Sequence, residues 1–309
     1  MKRRAFLFPG QGSQYVGMGK DFYEKSEEAR RLFAQADDVL GFSLSRLCFE
    51  GPEDQLRLTS NTQPALLTVS YIAYRLLGIQ PEVAAGHSLG EYSALVAAGS
   101  LSFADGLRLV ANRGRYMMEA MPPGTGTMAA VIGLDYKTIE NGLARVEKGI
   151  VQIANWNSEE QVVIAGEKGA VEEALEILKP PRFVYLQVSG PFHTSLMKPA
   201  AERLKADLEK VSLKDPQFPV ISNYTAREMR TASEVRESLS QQITSTVLWY
   251  PSMQRLAEWG VEEAVELGPG KVLTGLLKRA SRNWTKIPEL YNIEDMASLE
   301  KYRQNYSGG

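Results

Sequence analysis

Glu82-Val83-Ala84-Ala85-Gly86-His87-Ser88-Leu89-Gly90-Glu91-Tyr92-Ser93-Ala94-Leu95-Val96-Ala97-Ala98-Gly99 reads as three elements in a row. Glu82 to Ala85 is a short, mostly apolar run suited to a buried strand. Glu91 to Ala98 has helical character and stops at Gly99. Between them, Gly86-His87-Ser88-Leu89-Gly90 fits G-x-S-x-G, in which a serine sits on a sharp turn between strand and helix. The pentapeptide alone fits a helix-capping serine equally well. The strand before it and the helix after it favour a serine nucleophile.

A serine nucleophile needs a base to take its proton. The chain has two histidines. His87 adjoins Ser88, and consecutive side chains at a strand end point to opposite sides. That leaves His193, in Gly190-Pro191-Phe192-His193-Thr194. A lone histidine is more often structural than catalytic. This one, however, sits at a junction between a loop and an expected helix, with Thr194 or Ser195 as the expected cap. The rate is expected to rise with pH through the pKa of this histidine; an unperturbed imidazole titrates near pH ~6.5, and the sequence leaves the direction of any shift open.

Attack on an acyl group creates an oxyanion, which backbone N–H groups stabilise. The residue after the nucleophile, Leu89, supplies one. Gln11, between Gly10 and Gly12, is the best-placed second donor, although Pro9-Gly10 serves equally as a simple chain turn. Asn112-Arg113-Gly114-Arg115 interrupts a periodic helix with a glycine, which costs stability there and suggests a close approach. An arginine beside it suits a ligand carboxylate. On residue type alone, a solvated helix arginine is the commoner outcome.

Composition narrows the class. The chain has 309 residues, 44% hydrophobic and 23% charged, with a net charge of −2. These are soluble globular values with no electrostatic pull towards nucleic acid or anionic membrane. The single Cys48 suits a reducing compartment. Lys2-Arg3-Arg4 is followed by an apolar run too short for a secretory signal, and no stretch is long enough to span a membrane. A cytoplasmic protein is expected. The glycine-rich segments fail as nucleotide motifs. Tyr15 breaks the dinucleotide fingerprint after Gly10-Gln11-Gly12, and Val265 and Val272 break the phosphate loop around Gly270-Lys271.

Strand and helix signals alternate up to Pro122-Pro123-Gly124: a strand at Ala5–Phe8, helices over 21–40 and 65–77, the elbow, and a helix over 103–121. A parallel sheet covered by helices follows. From there the order is β-α-β-β-α-β, the ferredoxin-like arrangement. Its strands lie near 127–133, 150–156, 161–165 and 183–188, and its helices near 136–146 and 170–178. The expected fold class is therefore α/β. A large parallel-sheet subdomain resembling α/β-hydrolases spans residues 1–125 and 190–309. An α+β ferredoxin-like subdomain, residues 126–189, is inserted into it. Further along, helices are expected over 195–211, 234–243, 251–259 and 271–280, and strands near 219–222 and 264–267. The tail from Tyr302 is polar and expected to fray. Lys278, Arg279, Arg282 and Lys286 could form a basic patch for an acidic carrier, but a solvated helix face is the commoner outcome for such residues.

Five segments carry a family resemblance by their order and spacing. They are Pro9-Gly10-Gln11-Gly12-Ser13-Gln14, Asn61-Thr62-Gln63-Pro64-Ala65-Leu66, Gly86 to Glu91, Arg113-Gly114 and Gly190-Pro191-Phe192-His193. Together the set resembles malonyl-CoA:acyl carrier protein transacylases and the acyltransferase domains of polyketide synthases, from Phe6 to about Leu299. The resemblance implies ping-pong transfer of malonyl from coenzyme A to a carrier phosphopantetheine thiol, supplying fatty acid synthesis. Malonyl-CoA would be a substrate, acyl carrier protein the partner, with no cofactor and no metal. It implies Ser88 as nucleophile, His193 as base and then acid, the Gln11 and Leu89 amides as oxyanion hole, and Arg113 as the grip on the malonyl carboxylate. A backbone carbonyl at Gln242 would orient the histidine where other enzymes use an aspartate. Gln63, Met117 and Asn155 match substrate-pocket positions, and Phe192 matches malonyl-selective members. Thr194 replaces a common serine, and Thr246 stands where a proline is often found.

Other readings differ in testable ways. A polyketide acyltransferase would share the chemistry and differ in its carrier. A serine thioesterase would use the same elbow, but Arg113 and the missing triad acid count against it. Comparing water with thiol attack on the acyl-enzyme separates them. A non-catalytic carrier-binding module would show no covalent labelling of Ser88.

Overall fold

The structure, a computed structural model, describes residues 2–188 and 190–306. The expectation of a frayed C-terminal end falls partly on residues 307–309, outside the described residues. Among the described residues, ten strands form two sheets. The larger contains β1 (Arg4–Phe8), β2 (Val83–Gly86), β7 (Val220–Ile221), β8 (Glu228–Met229), β9 (Glu263–Leu267) and β10 (Glu289–Ile293), in the order β10-β9-β1-β2-β7-β8. All its pairings are parallel except β7 with β8.

The central strand shows why this region reads as a buried parallel sheet. Phe6 and Phe8 join one hydrophobic core, while Ala5 and Leu7 join another on the opposite face. A strand buried on both faces has no polar alternation, which explains its continuous apolar sequence. Helices Thr59–Leu77, Leu89–Ala97 and Phe103–Glu119 supply the first face; Trp249–Glu258 and Val272–Ala280 supply the second. Full burial of a Phe or Leu side chain contributes about 1.5–3 kcal/mol.

The smaller sheet contains β3 (Gly126–Ile132), β4 (Val151–Ser158), β5 (Gln161–Glu167) and β6 (Arg182–Tyr185) in the order β4-β5-β3-β6, all antiparallel. One face, with Ala129, Val131, Val162 and Ile164, packs under helices Tyr136–Leu143 and Lys168–Leu178. The other face, with Met128, Ala130 and Val163, joins the core of the larger sheet. The strand β4 is also stitched to the segment after Gln242. Val247 N donates to Ala154 O at 2.8 Å, Trp156 N to Val247 O at 2.9 Å, and Thr246 Oγ1 to Ile153 O at 2.6 Å. Thr246, the departure noted from the resemblance, thus anchors this segment to β4.

Several local expectations change. The helix read over 21–40 is two, Lys20–Lys25 and Glu27–Leu40, because Ser26 ends the first and caps the second through Ala29 N. The helix expected from 65 begins at Thr59 and contains Pro64. The segment after His193 is a 3₁₀ turn, Ser195–Met197, followed by helix Lys198–Glu209. Neither Thr194 nor Ser195 caps it by a side chain; Thr194 Oγ1 donates to Pro191 O instead, at 2.7 Å. Strands β8 and β10 carried no sequence expectation, and the tail expected to fray from Tyr302 is instead helical as far as Tyr306, within helix Met296–Tyr306.

Candidate active site

The elbow is built by exclusion of side chains. A Cβ on Gly86 would lie 2.0 Å from the backbone of Gly90, and one on Gly90 would lie 2.0 Å from Phe8 O. A Cβ on Gly10 would likewise lie 2.4 Å from His87 O. These backbone contacts cannot yield, so the turn after β2 and the loop after β1 interlock only through glycine. Ser88 is left at φ 51°, ψ −105°, and His193 at φ 60°. Both are non-glycine residues at positive φ, a conformation held by its surroundings and common at functional sites.

Ser88 Oγ donates to His193 Nε2 at 2.8 Å, and His193 Nδ1 donates to the Gln242 carbonyl at 3.0 Å. A carbonyl only accepts, so Nδ1 carries the proton and Nε2 is free to receive one. No carboxylate holds this histidine. Its ring is buried, and burial together with the nearby Arg113 guanidinium pushes its pKa down to about 3. The structure gives the direction that the sequence left open: the desolvated ring stays neutral. His87 points elsewhere, and its Nε2 donates to Asn157 Oδ1 at 2.9 Å. Burial lowers its pKa too.

Arg113 is 1% exposed. Its Nη2 donates to Ser88 Oγ at 3.1 Å and to Gln242 Oε1 at 2.9 Å, and its Nη1 donates to Gln63 Oε1 at 2.8 Å. The Tyr92 ring lies 5.4 Å from the guanidinium carbon. Burial lowers the arginine pKa. The solvated-face alternative therefore fails for this residue. Gly114 does not admit a ligand; a Cβ there would lie 2.5 Å from Thr59 O, so it lets helix Phe103–Glu119 press on the start of helix Thr59–Leu77. That contact brings Arg113 next to Gln63.

These groups open on a cavity of about 340 Å³ at the C-terminal ends of the parallel strands, where open α/β sheets place their sites. Gln11, Ser88, Leu89, Arg113, Met117, Asn155, Phe192 and His193 line it. Leu89 opens helix Leu89–Ala97, so its N–H is one of those without an intrahelical acceptor. Gln63 is placed differently from the expected pocket wall. It is 1% exposed and stands behind the cavity, bonding Arg113 and, at 3.5 Å, Met117 Sδ.

Sequence reasoning missed several residues here. Asn223 accepts from Ser88 N at 2.7 Å and donates to Gly86 O at 2.7 Å, which ties down the elbow. Its signal was its place just beyond the expected strand at 219–222. Arg57, Met128 and Leu186 to Val188 also line the cavity, and none stands in a motif. Among the described residues, no group of three or more His, Cys, Asp or Glu side chains is arranged to hold a metal ion. No helix among them is long and apolar enough to cross a membrane.

Known proteins resemble this chain along nearly its whole length. The acyl transferase domain family matches residues 5–308. The malonyl CoA-acyl carrier protein transacylase of Bacillus subtilis (strain 168) is 48% identical over 290 residues, covering 91% of this chain and 92% of the relative. The acyl carrier protein S-malonyltransferase of Vibrio cholerae superposes with a TM-score of 0.93 at 42% identity, covering 97% and 99%. A malonyl-transacylase solved in complex with a type II PKS acyl-carrier protein gives 0.93 at 43%, covering 98% and 99%. With the serine–histidine–arginine cluster in place and likeness at this level end to end, the chain belongs to the acyl transferase domain family, among the malonyl CoA-acyl carrier protein transacylases.

Proposed function

We propose that this protein transfers malonyl from malonyl-CoA to the phosphopantetheine thiol of acyl carrier protein, through a malonyl ester on Ser88. Ser88 Oγ attacks the thioester carbonyl while its proton passes to His193 Nε2. The developing oxyanion is held by the amides of Gln11 and Leu89. Collapse breaks the C–S bond, and the imidazolium returns its proton to the departing coenzyme A thiol. In the second half His193 takes the proton of the carrier thiol, the thiolate attacks the ester, and Ser88 leaves with the proton. Every step falls to a side chain or an amide of this chain, so the scheme uses no cofactor or metal.

The observation that carries this reading is the buried guanidinium of Arg113 beside the nucleophile. It supports an acyl group with its own carboxylate, since a charge entering a desolvated site needs a charged partner. Supply of malonyl to fatty acid synthesis in the cytoplasm is the setting we propose. The test is intact-mass analysis after incubation with malonyl-CoA, acetyl-CoA and candidate carriers. A malonyl adduct on Ser88 that moves to a carrier thiol is expected. An adduct lost to water faster than to thiol would make the protein a hydrolase.

A further inference from the structure

Glu91, the last residue of the Gly86 to Glu91 segment, has no part in this scheme. Its side chain is fully buried and outside the cavity wall, so it touches no substrate. It accepts from Asn223 N at 2.8 Å and Gln242 Nε2 at 3.0 Å on one oxygen, and from Ser238 Oγ at 2.9 Å on the other. Burial raises its pKa. We propose that Glu91 is a positioning residue, which fixes the direction of the Gln242 side-chain amide and thereby the seat of Arg113; this rests on the malonyl-transfer reading above.

The argument turns on donors and acceptors. Gln242 Nε2 has two hydrogens, and both are taken, by Glu91 and by the Ser88 carbonyl at 3.0 Å. That leaves Oε1 facing Arg113 Nη2. The reversed amide would set N–H donors against guanidinium donors and an oxygen against the carboxylate. Arg113 depends on this arrangement, because its carbonyl acceptors are the side chains of Gln63 and Gln242, and its Nε is buried without a hydrogen-bond partner. The same Gln242 offers its main-chain carbonyl to His193. Glu91 thus stands behind the carboxylate-binding group, while the histidine's Nδ1 is held by a main-chain carbonyl.

The test is kcat/KM for malonyl-CoA and acetyl-CoA in the wild type, Glu91→Ala, Glu91→Asp, Glu91→Gln, Gln242→Ala and the double variant Glu91→Ala/Gln242→Ala. Loss of one hydrogen bond's ordering of a charged group predicts a malonyl-to-acetyl ratio lower by about tenfold in Glu91→Ala. Glu91→Asp keeps the charge but falls short of Gln242, and should lower the ratio likewise. Glu91→Gln should hold it within about threefold, because its amide oxygen replaces the doubly used acceptor and its nitrogen donates to Ser238. Gln242→Ala keeps the main-chain carbonyl and should match Glu91→Ala, with no further fall in the double variant. Equal losses on both substrates, additive effects on the ratio, or damage from Glu91→Gln equal to that from Glu91→Ala would overturn the proposal. If Glu91→Ala does not fold, the order of Glu91→Gln above Glu91→Asp decides, and the reverse order overturns it. A wild-type protein forming no malonyl adduct on Ser88 would instead bring down the functional reading itself.

Discussion

The two sheets divide the labour unequally. The groups assigned to bond making lie on the larger one and the segments that join it: Gln11 after β1, Ser88 and Leu89 after β2, Arg113 and Gln63 on adjoining helices, His193 on the segment that runs from β6 back to helix Lys198–Glu209, and Gln242 on helix Ala232–Gln242. The smaller one supplies wall, through Met128 and Asn155, and a brace, through Asn157 to His87. Chemistry needs positions fixed to a fraction of an ångström, and the buried parallel sheet offers them. Shape tolerates a sheet with an open edge, and β6 has one: Phe183, Val184 and Tyr185 are each more than 40% exposed.

Substitutions in the two regions should therefore differ in size. The largest effect is expected from Ser88→Ala, which should abolish the malonyl adduct in intact-mass spectra; a surviving adduct elsewhere would move the nucleophile off the elbow. Next, His193→Ala should slow acylation by about 10²–10⁴-fold, the usual scale of a general acid–base contribution, measured by rapid quench. Arg113→Ala should cost malonyl transfer roughly 10–150-fold while acetyl transfer holds or improves, since bonds to charged groups are worth about 1.5–3 kcal/mol. Arg113→Lys should restore only part, lacking the planar fork. The smallest effect is expected from the brace. Asn157→Ala removes one neutral hydrogen bond and should cost less than about tenfold in acylation rate. A loss as large as that of His193→Ala would end the division between chemistry and wall.

The pH profile sharpens the same contrast. His193 must be neutral to accept the serine proton, and its pKa is depressed to about 3. The neutral fraction falls only as pH drops through that value. The acidic limb of kcat/KM set by this residue should thus lie well below 6.5, leaving the profile flat from pH 5 upward until another group titrates. A limb centred near 6.5, with chemistry rate-limiting, would mean that the ring is solvated in the working enzyme.

Much of this was legible in the chain. The elbow announces itself because glycine is the only residue that fits at Gly86 and Gly90, and β1 because burial on both faces leaves no polar residue in its middle. Arg113 was visible only as an arginine beside a helix glycine, and its burial depends on how two helices cross. Asn223 and Glu91 act by hydrogen bonds to residues more than 130 positions away, a relation no local pattern encodes. Strands β8 and β10 escaped for a different reason. The first is two residues long, and the second is an edge strand with only Ile293 buried, so neither has a run of apolar residues to read.

The long reach of these contacts also sets when the serine becomes reactive during synthesis. Ser88 leaves the ribosome 105 residues ahead of His193 and 154 ahead of Gln242. Its supporting strand β1 lies between β2 and β9, so the middle of the sheet cannot close until residues 263–267 have been made. A chain that stops short of His193 therefore has no imidazole to take the serine proton, and one that stops short of Gln242 lacks an acceptor for Arg113. The serine thus becomes a nucleophile through parts made long after it, the last of them the strand that closes the middle of the sheet.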